Sequence, residues 1–398
     1  MTAATSTPLR STLLTRPFAM LAVADLAYFT AVGVAVFALP LYVTGPLGGN
    51  KADAGLAFGA FALSALFLRP YAGRLCDTVG RRPLLVGGAL LAAVALGLTA
   101  TVETLWIVVA LRLLAGVAEA AFFVASFTVL ADLAPPDRIG EALSYNSLGL
   151  YLGLAIGPPL GQLMVETWGF PMAWVGAAGL SLLAVAVVIT GVGETRTAGP
   201  VEIGQRRGHG RLIHRGAVAP SLGFLASLVP MGGFLSLAAL HARDVGPADP
   251  SLPLLLYGLT VVTCRIAFAK VPDRLPPLAL GAAALAVIAA GMLVLALWTT
   301  PAGVLTGTVL IGVGVTFTTP AFFSAIFATV KPAERGAASG TASLFIDVGL
   351  GLGPIGLGLV AQGVSIPVAL AVGAGCAAIG TVWSWHLHRV AGATGPPS

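Results

Sequence analysis

The fold of this chain is first indicated by the stretch GRLCDTVGRR, residues 73–82, a charged, glycine-containing segment between two long apolar runs. A weaker copy follows 196 positions later. The aligned pairs are Arg69 with Arg265, Arg74 with Lys270, and Asp77 with Asp273. A second landmark has the same offset, because Gly140 and Pro158 align with Gly336 and Pro354. Two landmarks at one offset predict a duplicated chain with two homologous halves.

Composition indicates a membrane protein. The chain is 57% apolar and only 9% charged, whereas soluble domains carry roughly 25% charged residues. Apolar runs longer than about 18 residues predict membrane-spanning helices. Because the runs are continuous and do not alternate in polarity, they favour helices over barrel strands. The twelve predicted helices cover 17–44, 53–72, 83–101, 105–131, 141–164, 170–192, 217–241, 251–270, 276–298, 301–329, 337–362 and 366–387.

The distribution of basic residues predicts the orientation, since positively charged loops stay in the cytoplasm. Arginines follow predicted helices 2, 4 and 6, whereas the opposite loops hold only Lys51 and Arg243. We therefore expect both termini in the cytoplasm and a multi-pass protein of the plasma (inner) membrane. The Arg- and Gly-rich stretch at 196–216 is the predicted linker. It would join an N-terminal six-helix bundle at 1–195 to a C-terminal bundle at 217–398.

Several other function classes are disfavoured. The basic pI of 9.4 is explained by membrane topology and contact with anionic lipid headgroups, so we expect no nucleic-acid partner. Cys76, Cys264 and Cys376 are too scattered for a metal cluster. No nucleotide-binding loop and no nucleophile with a base and an orienting group is visible. We expect a monomer that is not an enzyme, has no cofactor or metal, and interacts with a small-molecule substrate, protons and membrane lipid.

Residues 73–82 resemble the signature between helices 2 and 3 of the major facilitator superfamily. Arg112-x3-Gly116 is similar to a motif of its proton-linked members, and Gly153-x3-Gly157-Pro158-x2-Gly161 to its antiporter motif. Gln162 stands where the family often has another glycine. The resemblance covers essentially the whole chain. It implies an all-α integral membrane fold with twelve helices in two pseudo-symmetric six-helix bundles. It points to the twelve-helix drug:proton antiporter group, and residues 345–354 are similar to a branch of bacterial sugar, drug and metallophore exporters.

The same resemblance implies a conformational latch. Asp77 would contact the cytoplasmic start of helix 11, and Arg81 would pair with Asp132 to hold the outward-open state. Gly73, Gly80 and Arg82 complete the motif. The alternative is a tight turn whose charges only keep the loop cytoplasmic. The copy around Asp273 has Pro276 where a glycine would stand, so its latch is expected to be weaker or absent.

Glycine and proline recur in helices 5 and 11. We expect these residues to be bending or close-packing points where the halves meet, since missing side chains bring backbones together. Ordinary small-residue packing is the alternative. The residues are Gly153, Gly157, Pro158 and Gly161 in helix 5, and Gly349, Gly353 and Pro354 in helix 11.

Four ionisable residues fall within predicted membrane helices: Asp25, Arg112, Glu119 and Asp347. Each costs roughly 2.5 to 3.5 kcal/mol on insertion scales and therefore needs a partner, water or a function. Helix geometry places Asp25 about 12 Å and Glu119 about 10 Å from the cytoplasmic edge, hence at similar depth. Arg112 precedes Glu119 by two turns on nearly the same face, and Tyr28 lies one turn beyond Asp25.

In the family, helices 1, 4, 7 and 10 line the central cavity, so the resemblance places Asp25, Arg112 and Glu119 on the substrate pathway, with Tyr28 as an aromatic wall. We expect Glu119, then Asp25, to carry the proton, and Arg112 to hold one of them ionised. Arg112 as a structural cation and Glu119 as its static partner are the alternatives. Asp347 is either a second proton site or a hydrogen-bonding group between the halves.

These features predict a secondary active exporter of small, partly hydrophobic molecules that works by alternating access and is driven by inward proton flow. Multidrug resistance is the corresponding biological role. Proton-coupled uptake of a metabolite or sugar is the main alternative. A non-transporting membrane sensor is disfavoured because no soluble signalling domain is visible.

Overall fold

A computed structural model describes residues 15–135, 139–196, 214–246, 249–331 and 334–393. These ranges contain twelve helices and no strand, which confirms the all-α expectation. The helices are α1 (Arg16–Thr44), α2 (Lys51–Thr78), α3 (Arg81–Thr99), α4 (Leu105–Leu133), α5 (Ile139–Trp168), α6 (Phe170–Gly191), α7 (Arg215–Val245), α8 (Leu252–Ala267), α9 (Pro277–Leu297), α10 (Pro301–Ala328), α11 (Arg335–Gly363) and α12 (Ile366–Ala393). In the described part, eleven helices are long and apolar enough to cross a membrane, and α8 is a shorter apolar helix.

The GRLCDTVGRR stretch is mostly helical. Helix α2 continues six residues beyond its predicted end at 72, because Arg74 and Thr78 lie on its exposed side and do not interrupt the helix. Only Val79 and Gly80 separate α2 from α3. Gly80 has φ of 121°, a backbone conformation that side chains other than hydrogen disfavour. The loop predicted for the whole stretch is therefore limited to a two-residue break.

The two sets of six helices pack in the same way. In the first set α1 packs on α5 and α6, α4 packs on α2 and α3, and α3 packs on α6. In the second set α7 packs on α11 and α12, α10 on α8 and α9, and α9 on α12. Each pair in the first set has its equivalent six helices later. This pattern is what a duplicated chain would produce.

The two sets meet through equivalent helix pairs, α2 with α11 and α5 with α8. The backbones come very close, since side chains at Gly55 and Gly59 would overlap the carbonyl oxygens of Pro354 and Gly351. At α8, a Cβ atom on Gly258 would lie 2.6 Å from Cβ of Ala155. Small residues therefore form the junction between the halves.

The predicted placement of the helix 5 and helix 11 glycines at this junction is largely wrong. A Cβ on Gly157 would lie 2.5 Å from Cα of Gly33, within the first half. A Cβ on Gly353 would lie 2.5 Å from the carbonyl oxygen of Val229, within the second half. The glycines spaced four residues apart therefore pack α5 on α1 and α11 on α7. Each of these helices contacts the other half through a different face. Gly153 packs on Phe29, Gly161 on Val34, and Gly349 on Leu228, each within its own half, and Pro158 lies inside α5. Pro354 is the exception, because its carbonyl oxygen lies against Gly55 at the junction between the halves.

The helix ends near residue 50 form what we call the distal face, and those near residues 73–82 the motif face. The halves are joined at the distal face. Lys51 Nζ lies 3.6 Å from Asp244 Oδ2, and the Lys51 N–H donates to Gln362 Oε1 at 3.1 Å. The N–H of Ser251 donates to Gln162 Oε1 at 3.0 Å. Gln162, the departure from the family motif, thus makes a contact between halves.

Candidate functional site

A buried cluster of three charged residues lies where the halves meet. Arg69 on α2 places Nη2 3.3 Å from Glu119 Oε2 on α4 and Nε 2.8 Å from Asp347 Oδ2 on α11. The side chains of Glu119 and Asp347 are only 9% and 3% exposed. The Arg69 guanidinium also lies 4.8 Å from the ring centre of Phe123. We call Arg69, Glu119 and Asp347 the junction triad; it ties an acid of each half to one cation.

Close packing of α2 on α4 positions the triad. A side chain at Gly116 would overlap the carbonyl oxygen of Phe61, so only glycine allows this approach. The hydroxyl of Ser64 donates to the Leu113 carbonyl at 2.7 Å. Glu119 is three residues after Gly116, and this spacing brings its carboxylate beside Arg69. The Arg112-x3-Gly116 pattern therefore contributes helix packing through its glycine.

Arg69 is the site residue that sequence reasoning missed. In the sequence it stands near the end of the apolar run at 53–72, where hydropathy does not mark it as buried, and it is recognisable only as the repeat partner of Arg265. The continuation of α2 to Thr78 places it nine residues, roughly 13 Å, inside the helix. An arginine flanked by apolar residues and repeated in the second half was the available signal.

The expected pairing of Arg112 with Asp25 or Glu119 is not found among the described residues. Arg112 is buried, and its guanidinium lies 4.7 Å from the ring centre of Phe61. Its Nε atom is buried without a hydrogen-bond partner. Arg112 stands seven residues before Glu119 on α4, a distance of about 10 Å along the helix. Arg69 of α2 lies closer to the Glu119 carboxylate than Arg112 does.

Asp25 occupies a separate position. It is 1% exposed, and the Ser126 hydroxyl lies 2.8 Å from each of its carboxylate oxygens. The prediction that Asp25 and Glu119 lie at similar depth is wrong, because Asp25 is level with Ser126, and Ser126 lies seven residues, about 10 Å, beyond Glu119 along α4. Between Asp25 and Glu119, Tyr28 of α1 stacks on Phe122 of α4 with ring centres 4.0 Å apart.

At the motif face, Arg81 Nε lies 3.2 Å from Asp132 Oδ2. The predicted partners are therefore adjacent, and the latch itself stays a prediction. Thr195 also donates to Asp132 Oδ2, at 2.7 Å, and Arg81 Nη2 lies 3.8 Å from Asp77 Oδ1. The first turn of α11 includes side chains outside the described part, so the contact expected between Asp77 and that turn also stays a prediction.

Glu194 is a second residue that sequence reasoning missed. Its carboxylate accepts from the N–H groups of Arg81 at 3.1 Å and Arg82 at 3.2 Å, which caps α3. Partial burial opposes ionisation, but backbone N–H donation from Arg196, Arg81 and Arg82 outweighs it and lowers the pKa of Glu194. A Cβ on Gly80 would lie 2.5 Å from Glu194 Oε2. Arg82 Nη2 in turn donates to the Ile189 carbonyl at 2.6 Å. The motif face is thus fastened to the end of α6.

Among the described residues, no three His, Cys, Asp or Glu side chains come together as metal ligands would. Two equivalent helical sets that span a membrane and meet at buried charges are the architecture of a secondary transporter. The model of the Major Facilitator Superfamily matches residues 21–354. The chain belongs to this superfamily and is a multi-pass membrane transport protein.

Relatives agree with this assignment. The chain is 28% identical over 377 residues to an MFS-type transporter of Burkholderia mallei (strain SAVP1), covering 91% of this chain and 89% of the relative. It is 28% identical over 339 residues to an MFS-type transporter of Salmonella typhimurium (strain LT2), covering 82% and 85%. Among solved structures, the nucleoside transporter NupG is similar with a TM-score of 0.77 at 16% identity, covering 93% of this chain and 99% of that one. The last likeness concerns the fold alone.

Proposed function

We propose that this transporter is a proton-coupled antiporter that exports small, partly hydrophobic molecules by alternating access. The observation that carries the proposal is the junction triad, in which one arginine is shared by an acid of each half. A group that is bound in one conformation and released in another is what couples protonation to movement.

The charge balance of the buried helices supports proton binding. In the described part of α1, α2, α4 and α11, the charged side chains at least seven residues from either helix end are the carboxylates of Asp25, Glu119 and Asp347 and the cations of Arg69 and Arg112. Three acids face two cations, so full ionisation leaves one excess negative charge in a region of low dielectric. Uptake of one proton removes that charge at a site where an unpaired ion is costly.

Glu119 is our first choice for the proton carrier. When Glu119 is ionised, it and Asp347 both hold Arg69, and α2 stays close to α4 and α11. Protonation of Glu119 removes one of the two ion pairs, so Arg69 is held by Asp347 alone. The relative affinity of the halves then depends on the proton, which is the requirement for driving a conformational change. Asp347 and Asp25 follow as second candidates.

The export direction is supported by the resemblance of residues 153–161 to the antiporter motif. At the motif face of the first half, Arg81 pairs with Asp132 and connects α3 with α4, and Glu194 connects the start of α3 with the segment after α6. Aromatic rings of Tyr28, Phe122 and Phe123 lie beside the buried charges and suit a partly apolar cargo. Uptake symport predicts net flux in the opposite direction under the same proton gradient.

Proteoliposomes that contain the full chain test this proposal. A panel of fluorescent hydrophobic amines, acids and neutral dyes is assayed for movement driven by an imposed pH gradient, with the orientation of the inserted protein determined by protease accessibility. We expect gradient-driven transport against the proton flow, and its loss in Glu119→Gln. Glu103→Gln, which changes an exposed acid in the loop before the same helix, is the matched control and should behave as wild type.

Two outcomes would contradict the proposal. Unchanged coupling in Glu119→Gln would exclude Glu119 as the proton carrier. Cargo movement in the same direction as protons would exclude export and establish symport.

A further inference from the structure

A second arginine occupies the position equivalent to Arg69 in the other half. Arg265 on α8 follows Arg69 by 196 residues, and α8 packs on α5 as α2 packs on α11. At the same offset, Tyr151 of α5 is equivalent to Asp347, and Val315 is equivalent to Glu119. Both carboxylates that hold Arg69 are therefore replaced by uncharged residues around Arg265.

The surroundings of Arg265 are aromatic. Its Cζ atom lies 4.8 Å from the ring centre of Tyr151, whose ring lies 6.5 Å from that of Tyr257 in an edge-to-face arrangement. Tyr151 is 8% and Tyr257 1% exposed, so Arg265 stacks on a buried surface between the halves. Phe234 of α7 packs on Tyr257 with ring centres 5.6 Å apart. The guanidinium rests on an aromatic platform that extends into the second half.

This platform contains polar atoms that lack partners. Among the described residues, no carboxylate lies within ion-pair distance of Arg265. The Arg265 Nε and Tyr257 hydroxyl atoms are buried without hydrogen bonds. A buried donor without a partner is costly, and so is a cation without a counter-charge. A negatively charged oxygen atom would satisfy both requirements.

We propose that Arg265, together with Tyr151 and Tyr257, binds an anionic group, either a carboxylate or a phosphate, of the transported molecule. The guanidinium can present its edge to two oxygens while its face stays on Tyr151. The neighbouring rings would contact an apolar part of the same molecule. The cargo is thus a small organic anion with an apolar portion. This assignment rests on transport by this chain and is independent of the proton carrier.

The carboxylate or phosphate could also belong to an anionic lipid headgroup. Binding is therefore measured without any proton gradient, with the purified full chain in nanodiscs of phosphatidylcholine alone. The probes are 1-naphthoate and phenyl phosphate, with 1-naphthamide and phenol as their neutral counterparts, and affinities are read by titration calorimetry. A second set of nanodiscs contains phosphatidylglycerol as a competitor.

In wild type we expect the anions to bind at least about tenfold more tightly than their neutral counterparts, as the strength of a charge-assisted hydrogen bond implies. Arg265→Gln should abolish this preference, and Arg265→Lys should retain part of it. Lys270→Gln removes an exposed cation of the same segment and should leave the preference unchanged. Equal binding of anions and neutral compounds in wild type would overturn the proposal, as would a preference that survives in Arg265→Gln.

Two further outcomes separate this inference from the rest. Displacement of both probes by phosphatidylglycerol through Arg265 would assign the anion to lipid and overturn a cargo site. Because no gradient is present, anion binding that persists in Glu119→Gln supports the Arg265 site even if the proposed proton coupling fails. Loss of coupling in Glu119→Gln, with no anion preference in wild type, would support the proposed proton coupling and overturn the anion site at Arg265.

Discussion

Two glycines of the GRLCDTVGRR stretch differ in what a methyl group would meet. Gly80 has φ of 121°, and its added Cβ would lie 2.5 Å from Glu194 Oε2, whereas Gly73 is helical and nothing lies within 4 Å of its added Cβ. Gly80→Ala should destabilise by about 1 to 2 kcal/mol or more. Gly73→Ala should stabilise α2 by about 0.5 to 1 kcal/mol. Thermal unfolding of the two variants in one detergent checks this order, and equal midpoints would contradict it.

Arg69 and Arg112 should respond differently to the same change. Arg69→Gln removes the cation shared by Glu119 and Asp347, and breaking such a buried pair costs about 3 to 5 kcal/mol. Arg112→Gln removes a cation that lies on the Phe61 ring and forms no ion pair with a described carboxylate, so the loss should be much smaller. Asp347→Asn should recover part of the stability of Arg69→Gln, as measured by a double-mutant cycle of unfolding midpoints. A larger loss in Arg112→Gln would show that the triad is not the principal contact.

Sequence reasoning identified the buried acids but not their arrangement. Asp25, Glu119 and Asp347 stand out because carboxyl groups are rare in apolar helices. Their partners depend on which helices approach one another, and this is decided by contacts such as Gly116 with Phe61. The sequence therefore predicts Arg112 as the partner of Asp25 or Glu119, whereas the cation beside Glu119 in the structure is Arg69 of α2.

At the scale of helices, the capping of α3 by Glu194 predicts a pH dependence. The pKa of Glu194 is lowered from its ordinary value of 4.5, so its contribution to stability is present above pH 4.5 and is lost as the pH falls through the folded pKa. Glu194→Gln should therefore lower the unfolding midpoint at pH 7, with a difference from wild type that shrinks as the pH falls below 4.5. Glu103→Gln is the control. A difference that stays constant with pH would exclude the capping charge as its cause.

Helix number and order were predicted well because each span is a long apolar run. Helix ends were less predictable. Helix α2 continues through charged residues whose side chains reach the exposed side, and α8 ends at Ala267 before a series of turns containing Pro272 and Pro276. Hydropathy detects where a chain enters the apolar layer, and it does not detect where backbone hydrogen bonding stops.

At the scale of the molecule, the contact of Gly258 with Ala155 offers a covalent test of relative movement. Cysteines at these two positions would be within disulfide reach after a backbone shift of about 1 Å. Oxidation of Ala155→Cys/Gly258→Cys should stop transport, and reduction should restore it, because alternating access requires α5 and α8 to move relative to each other at this junction. Gly161→Cys/Val34→Cys crosslinks α5 to α1 within one half and should leave transport intact. Full transport by the crosslinked A155C/G258C protein would contradict movement at this junction.

The equivalence of Asp347 and Tyr151 has an evolutionary consequence. Both positions descend from one ancestral residue if the halves arose by duplication, and each now faces an arginine inherited from a common predecessor. Substitutions near Tyr151 can accumulate without altering the acid opposite Arg69. The two interfaces of such a chain can therefore change independently of each other, and Tyr151→Asp would place an aspartate opposite both arginines in a single step.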